Sequence, residues 1–261
     1  MSGAAPKRAV LIGVGVGPGD PELVTVKAVR VLREADLVLV PVLAATDRDS
    51  GPGRPEAAIQ PGRAETTVRA HVSHDRIRRV AFAFDERHDR ARREAAWDSA
   101  ADTAAAAYET GAAVVAFATI GDPNVYSTFT YLAETVRERV PGLDVQTVPG
   151  ITAMQDLAAR SGTVLCQGQE SLALLPLTAG IGRFRTALAT FDTVVGYKSG
   201  RHLPEVISAV RDAGRLDGAV HGASLGLPGE DIRPAGAVTG AAPYLSTLLV
   251  PGRRTIRGGK L

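Results

Sequence analysis

The chain has 261 residues, 45% of them hydrophobic, and 30 basic against 28 acidic side chains leave a formal charge of +2. That content suffices for a large buried core, arranged as one large domain or two modest ones, of which two are favoured. The near-neutral balance provides no global field that would draw the protein to nucleic acid, and no apolar run approaches the roughly 18 residues that cross a bilayer, so neither is an expected partner. The single cysteine, Cys166, cannot close an intramolecular disulfide, and the opening MSGAAPKRAVLIGVG turns glycine-rich before a signal-peptide apolar stretch develops. A reducing, cytoplasmic setting is expected.

Residues 8–16 form a β-branched run ending in glycines and predict a strand. Apolar residues at Leu23, Val26, Val29 and Leu32 then recur with helical spacing, and Asp20 is expected to cap that helix with Pro21 in its first turn, where a missing N–H costs nothing. Residues 37–42 predict a second buried strand, and 44–61, rich in Gly, Pro, Asp and Arg, a long loop. Further strands at 79–84, 114–119 and 144–148 alternate with helices over 90–109 and 128–139 and with a helix opened by Pro149-Gly150-Ile151-Thr152-Ala153. Such alternation implies a mostly parallel sheet. Beyond Gly162 the runs 171–176, 193–197, 219–224 and 244–250 are strand-like. A boundary near Cys166 to Glu170 is expected, giving an N-terminal α/β domain over 1–165 and a C-terminal one over 166–261. The basic tail over 251–261 is expected to fray.

Gly13-x-Gly15-x-Gly17-Pro18-Gly19-Asp20 lies between a predicted strand and a helix, where a dinucleotide-binding loop would sit. It departs from G-x-G-x-x-G: counted from Gly13 the third glycine is Pro18, and counted from Gly15 it is Asp20. A carboxylate at a helix N-terminus also competes with a pyrophosphate for the same N–H groups. A nucleotide-binding oxidoreductase is therefore the alternative of a different class, and it lacks an acidic ribose partner at the end of the second strand, where Pro41 stands. The glycines permit a tight turn and close backbone approach, and after a strand they can wall a ligand cleft.

Three stretches in order, GVGVGPGDPELVTVKAVRVLREADLVLVP, GDPNVYSTF and VPGITA, resemble the tetrapyrrole methylase family of S-adenosylmethionine enzymes, and the resemblance runs from about Ala9 to Val250. Within it, FATIGDPNVYSTFTYLAE, PGITAMQDLAARSG and GYKSGRHLPEV are most similar to the branch that methylates precorrin-2 at C(20) in corrinoid biosynthesis. A second reading is another family member, acting on uroporphyrinogen III, diphthine or ribosomal RNA, and the YSTF and GRHLPEV stretches argue against it. The resemblance implies the two-domain fold of the class III S-adenosylmethionine methyltransferases, α/β in both domains, with the active-site cleft between them and a homodimer as the usual assembly. It implies S-adenosylmethionine as cofactor, S-adenosylhomocysteine as product and a tetrapyrrole, metal-free or cobalt-bearing, as substrate. Carried over residue by residue, Pro18 lies by the cofactor, and Ile120, Gly121 and Asp122 supply a main-chain cradle continued by Tyr126, Ser127 and Thr128. Thr152 and Ala153 become adenosine and methionine contacts. Tyr197, where relatives commonly have methionine, Ala223 and Pro243 are implied from the second domain.

No catalytic side chain is assigned, because the macrocycle supplies the nucleophilic carbon and the enzyme works by positioning, which can contribute about 7–11 kcal/mol. A substrate with several carboxylates calls for cationic partners. Arg183, Arg185, Lys198 and Arg201 are the candidates, with Arg48, Arg54 and Arg63 placed to close over the substrate. His71-x-x-His74, with His88 beyond it, is not read as a metal site: Asp75, Arg76, Arg78 and Arg79 make it a charged element, no cysteine completes a ligand set, and no metal is expected. His202 is a secondary candidate for removing a proton from the product, and Trp97 is expected to serve packing.

Overall fold

The computed structural model describes residues 8–43, 62–82, 89–243 and 245–254. Arg48, Arg54, His88 and the end of the basic tail lie outside the described residues. The chain divides into two compact units, the first ending at Thr152 and the second beginning at Ala153.

The first unit runs β1 (Val10–Gly15), α1 (Val26–Glu34), β2 (Leu37–Leu43), α2 (Arg63–Arg69), β3 (Ile77–Phe82), α3 (Arg90–Glu109), β4 (Val114–Thr119), α4 (Phe129–Arg139) and β5 (Asp144–Val148). Its five strands lie in the order β3-β2-β4-β1-β5 and every adjacent pair is parallel. Near-continuous apolar strands such as VLIGVG and VVAFAT are what a sheet covered on both faces requires. On one face Val31 and Leu32 of α1 and Val68 of α2 pack on Ile12, Val14, Val38 and Ala116. On the other, Ala100 and Ala104 of α3 and Leu132 and Val136 of α4 pack on Leu11, Leu39, Val115 and Phe117. Neighbouring strands β1 and β4 thus send their connections over opposite faces. Such a reversal opens a crevice at the carboxyl ends of the two strands, and the Gly13–Asp20 and Ile120–Thr128 loops leave from there.

Two helix starts differ from expectation. The Asp20 carboxylate accepts the Glu22 N–H at 2.9 Å, but it caps only a single 3-10 turn, Pro21–Leu23. Val24 is extended, and α1 begins at Val26 with Thr25 Oγ1 accepting the Ala28 N–H at 3.2 Å. Likewise the helix expected from Pro149 begins only at Ala153. The short, polar α2 was not anticipated at all, because RAETTVR carries little apolar periodicity.

The second unit comprises α5 (Ala153–Ser161), β6 (Leu172–Pro176), α6 (Ile181–Thr190), β7 (Thr193–Tyr197), α7 (Leu203–Asp212), β8 (Val220–Ala223), β9 (Asp231–Pro234) and β10 (Ser246–Val250). Its sheet is ordered β6-β7-β10-β8-β9; β6 and β7 are parallel, whereas β10 runs antiparallel to β7 and β8, and β9 antiparallel to β8. Phe184, Leu188, Val206 and Val210 of α6 and α7 cover one face with Val194, Leu248 and Val250. Leu157 and Ala158 of α5 cover the other with Val195 and Leu249. That packing is why α5 belongs to the second unit and the division falls before it, rather than at 165/166. Arg215 staples the far edge, donating to the carbonyls of Leu188 at 2.8 Å, Phe191 at 3.0 Å and Pro251 at 3.1 Å. Among the described residues no helix is long and apolar enough to cross a membrane.

Candidate active site

At the carboxyl edge of the first sheet the loops after β1, β4 and β5 meet through main chain. A Cβ on Gly15 would stand 2.5 Å from the Gly121 carbonyl oxygen and 2.6 Å from the Gly150 nitrogen, and one on Gly150 would be nearer still to that oxygen. Only glycine permits this approach. The Gly121 N–H donates to the Gly17 carbonyl at 2.7 Å, joining the loops across the crevice, and both glycines have positive φ. Asp122 locks the arrangement: Oδ1 accepts the Asn124 N–H at 2.8 Å, and Oδ2 accepts the Gly150 N–H at 3.0 Å. Its carboxylate is committed to loop geometry.

Ser127 Oγ donates to Thr119 Oγ1 at 3.0 Å and accepts the Phe129 N–H at 3.1 Å, so it takes up the first N–H of α4 while tying the loop to β4. Tyr126 is left-handed (φ 51°) and 44% exposed, and partial burial of its ring pushes the phenol pKa up. Pro18 and Thr152 are buried at this edge. From below, α2 buttresses the β1 loop. Thr67 Oγ1 donates to the Gly19 carbonyl at 3.1 Å, and His71 Nε2 lies 3.0 Å from the Pro21 carbonyl, which fixes that nitrogen as a donor. Glu65 anchors α2. It is fully buried, which opposes its charge, but ion pairs to Arg79 at 2.8 Å and to Arg69 outweigh burial and hold its pKa below the usual carboxylate value.

The second sheet also gathers its implied residues at one edge. Since β7 and β8 both oppose β10, their carboxyl ends coincide where β10 begins, with Ser246 beside Ala223 and Thr247 beside Tyr197. The Tyr197 hydroxyl accepts the Met154 N–H at 3.0 Å and pins the first turn of α5. Lys198 (φ 61°) and Ser224 (φ 52°), each following the end of a strand, are left-handed. With Tyr126 they are the non-glycine residues of positive φ among the described residues. Such backbone costs on the order of 1–3 kcal/mol each and collects at functional sites. Lys198 is held by its N–H to the Ser246 carbonyl at 3.0 Å, and Ser199 and Ser246 share a buried hydroxyl pair. Pro243 is exposed just before β10.

Residues 10–237 match the model of the Tetrapyrrole (Corrin/Porphyrin) Methylases. The chain belongs to that family. It is 35% identical to the Precorrin-2 C(20)-methyltransferase of Sinorhizobium sp, over 97% of this chain and 98% of that protein. It is 29% identical to the Cobalt-precorrin-2 C(20)-methyltransferase of Salmonella typhimurium, over 92% and 95% of the two chains. Among solved structures, the Uroporphyrin-III C-methyl transferase from Thermus thermophilus, complexed with S-adenyl homocysteine, has the same fold: TM-score 0.57 at 20% identity, covering 93% of this chain and 96% of that one.

In this tetrapyrrole methylase the cationic candidates separate. Arg183 is exposed in the first turn of α6, which follows the end of β6, and Arg201 lies in the 3-10 turn Gly200–His202 after β7, its side chain outside the described residues. Arg185 is exposed in α6. Its guanidinium pairs at 3.1 Å with Asp212, the last residue of α7, away from the strand-end edge. Arg63 opens α2, half-buried, and burial lowers its pKa. Trp97 stacks on Tyr131 with ring centroids 4.7 Å apart and joins α3 to α4, as a packing residue does. Sequence reasoning missed Thr67, His71 and Met154 as supports of the two edges. Only the glycine pairs at strand ends signalled that edge beforehand.

Proposed function

We propose that the protein transfers the methyl group of S-adenosylmethionine to C(20) of precorrin-2, or of its cobalt-bearing counterpart, in corrinoid biosynthesis. One observation carries the cofactor choice. The segments 13–20, 119–128 and 147–153, which form the first edge, contain no lysine or arginine but include Asp20 and Asp122. A pyrophosphate would there compete with Asp20, which already takes the Glu22 N–H, on a loop that departs from the G-x-G-x-x-G spacing. A sulfonium with an adenosine group needs main-chain hydrogen bonds and an apolar slot but no phosphate clamp, and glycine-built loops without cations suit that need.

Bound there, S-adenosylmethionine supplies an activated methyl group. The main chain of Ile120, Gly121 and Asp122 receives the cofactor, beside Pro18, Tyr126, Ser127 and Thr128. Thr152 and Ala153, consecutive in the chain, continue the contact, and Tyr197, Ala223 and Pro243 are the further contacts that the family resemblance implies. Arg183, Lys198 and Arg201 pair with substrate carboxylates and orient the ring, so that its own carbon attacks in line. The work of these residues is alignment, worth about 7–11 kcal/mol of the barrier when reacting atoms are held in contact. The family resemblance and the single cysteine support a homodimer acting in the cytoplasm.

Calorimetric titration with S-adenosylmethionine and S-adenosylhomocysteine, with NAD and NADP as controls, tests the cofactor. Saturable binding of the sulfur ligands alone is expected; binding of a nicotinamide nucleotide instead would overturn the reading. Incubation with precorrin-2, metal-free and cobalt-bearing in parallel, should then add one methyl group by mass spectrometry.

A further inference from the structure

Two segments of the second unit adjoin proposed cofactor contacts: α5, which opens with Ala153, and the 224–230 loop, which follows Ala223 at the end of β8. One guanidinium joins them. Arg160 of α5 donates from Nε to Asp156 Oδ1 at 2.7 Å and from Nη1 to the two Glu230 oxygens at 3.0 and 2.9 Å. Glu230 in turn closes the loop. Its Oε2 accepts the Gly226 N–H at 2.6 Å, and its own N–H donates to the Leu227 carbonyl at 3.1 Å. The loop starts left-handed at Ser224, turns again through positive φ at Gly226 and Gly229, and seals Leu225 against Leu157 of α5. A Cβ on Gly222 would stand 2.7 Å from that same Leu157, so β8 and α5 are closely fitted here.

The charge balance is uneven. One cation serves two carboxylates, and Asp156 is buried with Oδ2 lacking a hydrogen-bond partner among the described residues. A carboxylate so placed is costly, and the Glu230 arm, near the surface, returns little stability. An arrangement that gains so little stability is better accounted for by the geometry it imposes.

We propose that Arg160, in the last turn of α5, is a positioning residue for methyl transfer: held by Asp156 one turn back, it pairs with Glu230 and docks the 224–230 loop on α5, fixing the frame that carries Ala153 at the other end of the helix and Ala223 just before the loop. This rests on the cofactor reading above. Without the guanidinium, two carboxylates face each other unscreened and the loop moves off α5. Small displacements of positioning groups are expensive, on the order of 10²-fold per ångström.

The test is Arg160→Met in the full chain, with S-adenosylhomocysteine affinity, KM for S-adenosylmethionine, KM for the tetrapyrrole and thermal melting all measured. Cofactor affinity and cofactor KM should worsen roughly tenfold, with the tetrapyrrole KM unchanged. Arg160→Lys, a point charge without the planar fork, should recover only part of the loss. Adding Glu230→Gln to Arg160→Met should restore part of the affinity, since it removes one of the unbalanced charges. Should Arg160→Met fail to fold, Glu230→Gln alone carries the test, with a smaller loss in the same direction. A folded variant with wild-type cofactor affinity and KM overturns the role of Arg160 and leaves the cofactor reading standing. A wild-type chain that binds neither sulfur ligand overturns the cofactor reading and this proposal with it.

Discussion

In the first unit the strand ends touch chiefly through main chain, with Gly15, Gly121 and Gly150 packed backbone to backbone and the Asp122 carboxylate tying two of the loops together. In the second unit the corresponding edge is held by side chains and by strained backbone: the Tyr197 hydroxyl, the Ser199–Ser246 pair, left-handed Lys198 and Ser224, and the Arg160 bridge. A main-chain cradle tolerates almost no substitution, because each added atom meets backbone that cannot step aside. A side-chain edge can be altered residue by residue while the sheet beneath it stays intact. Under the proposed function the first edge serves an invariant ligand, the cofactor, whereas the second serves both the cofactor, through Tyr197, Ala223 and the Arg160 bridge, and a particular macrocycle, through Lys198.

The contrast breaks most readily at Gly150. Gly150→Ala drives a methyl into the Gly121 carbonyl and should cost about 3 kcal/mol or more of stability, together with loss of S-adenosylhomocysteine binding. A melting curve like that of the wild type would mean that these strand ends do not meet.

A medium effect is expected inside the second sheet, at His221 of β8. It is buried with both ring nitrogens unpartnered among the described residues. Burial pulls its pKa down, against a smaller upward pull from Asp231 and with a further downward push from Arg233, both on β9. The unfolded chain takes up a proton below about pH 6.5 whereas the folded chain resists it, so the contribution is fully present above that pH and is lost as pH falls. His221→Leu should remove that acid sensitivity and, by deleting unsatisfied polar atoms, stabilise the neutral-pH fold by about 1–3 kcal/mol. Urea melts on either side of the histidine range check this; an unchanged pH slope would clear His221 of any part in it.

The smallest effect sharpens the comparison most directly. Lys198→Gly relieves a left-handed backbone and should raise stability by about 1 kcal/mol. It should also raise the tetrapyrrole KM without altering S-adenosylhomocysteine affinity. Stabilisation with an unchanged KM would show strain with no substrate role.

Local pattern was enough for much of this protein. The bounds of β4, β5, β7 and α3 match those expected from apolar runs and alanine-rich periodicity, because a strand or helix with one dominant pattern is decided by its own residues. The glycine loops and the family resemblance were legible for the same reason: a close backbone approach leaves a glycine wherever a side chain cannot fit. Short amphipathic helices were not. The apolar positions of α6 and α7, Phe184, Ala187 and Leu188 and then Leu203, Val206, Ile207 and Val210, were hidden among strand-like neighbours, and α2 shows almost no stripe.

Sequence alone therefore determined the alternating elements of the first unit, the glycine-built loops at its strand ends and the family. Tertiary structure decided which sheet α5 covers, that Arg185 meets Asp212, that Thr67 and His71 brace the β1 loop, and that Arg160 reaches Glu230 seventy residues on. Periodicity records how a segment folds on itself, whereas the partner of a face or a charge is set by packing between residues far apart in the chain, which no local pattern contains.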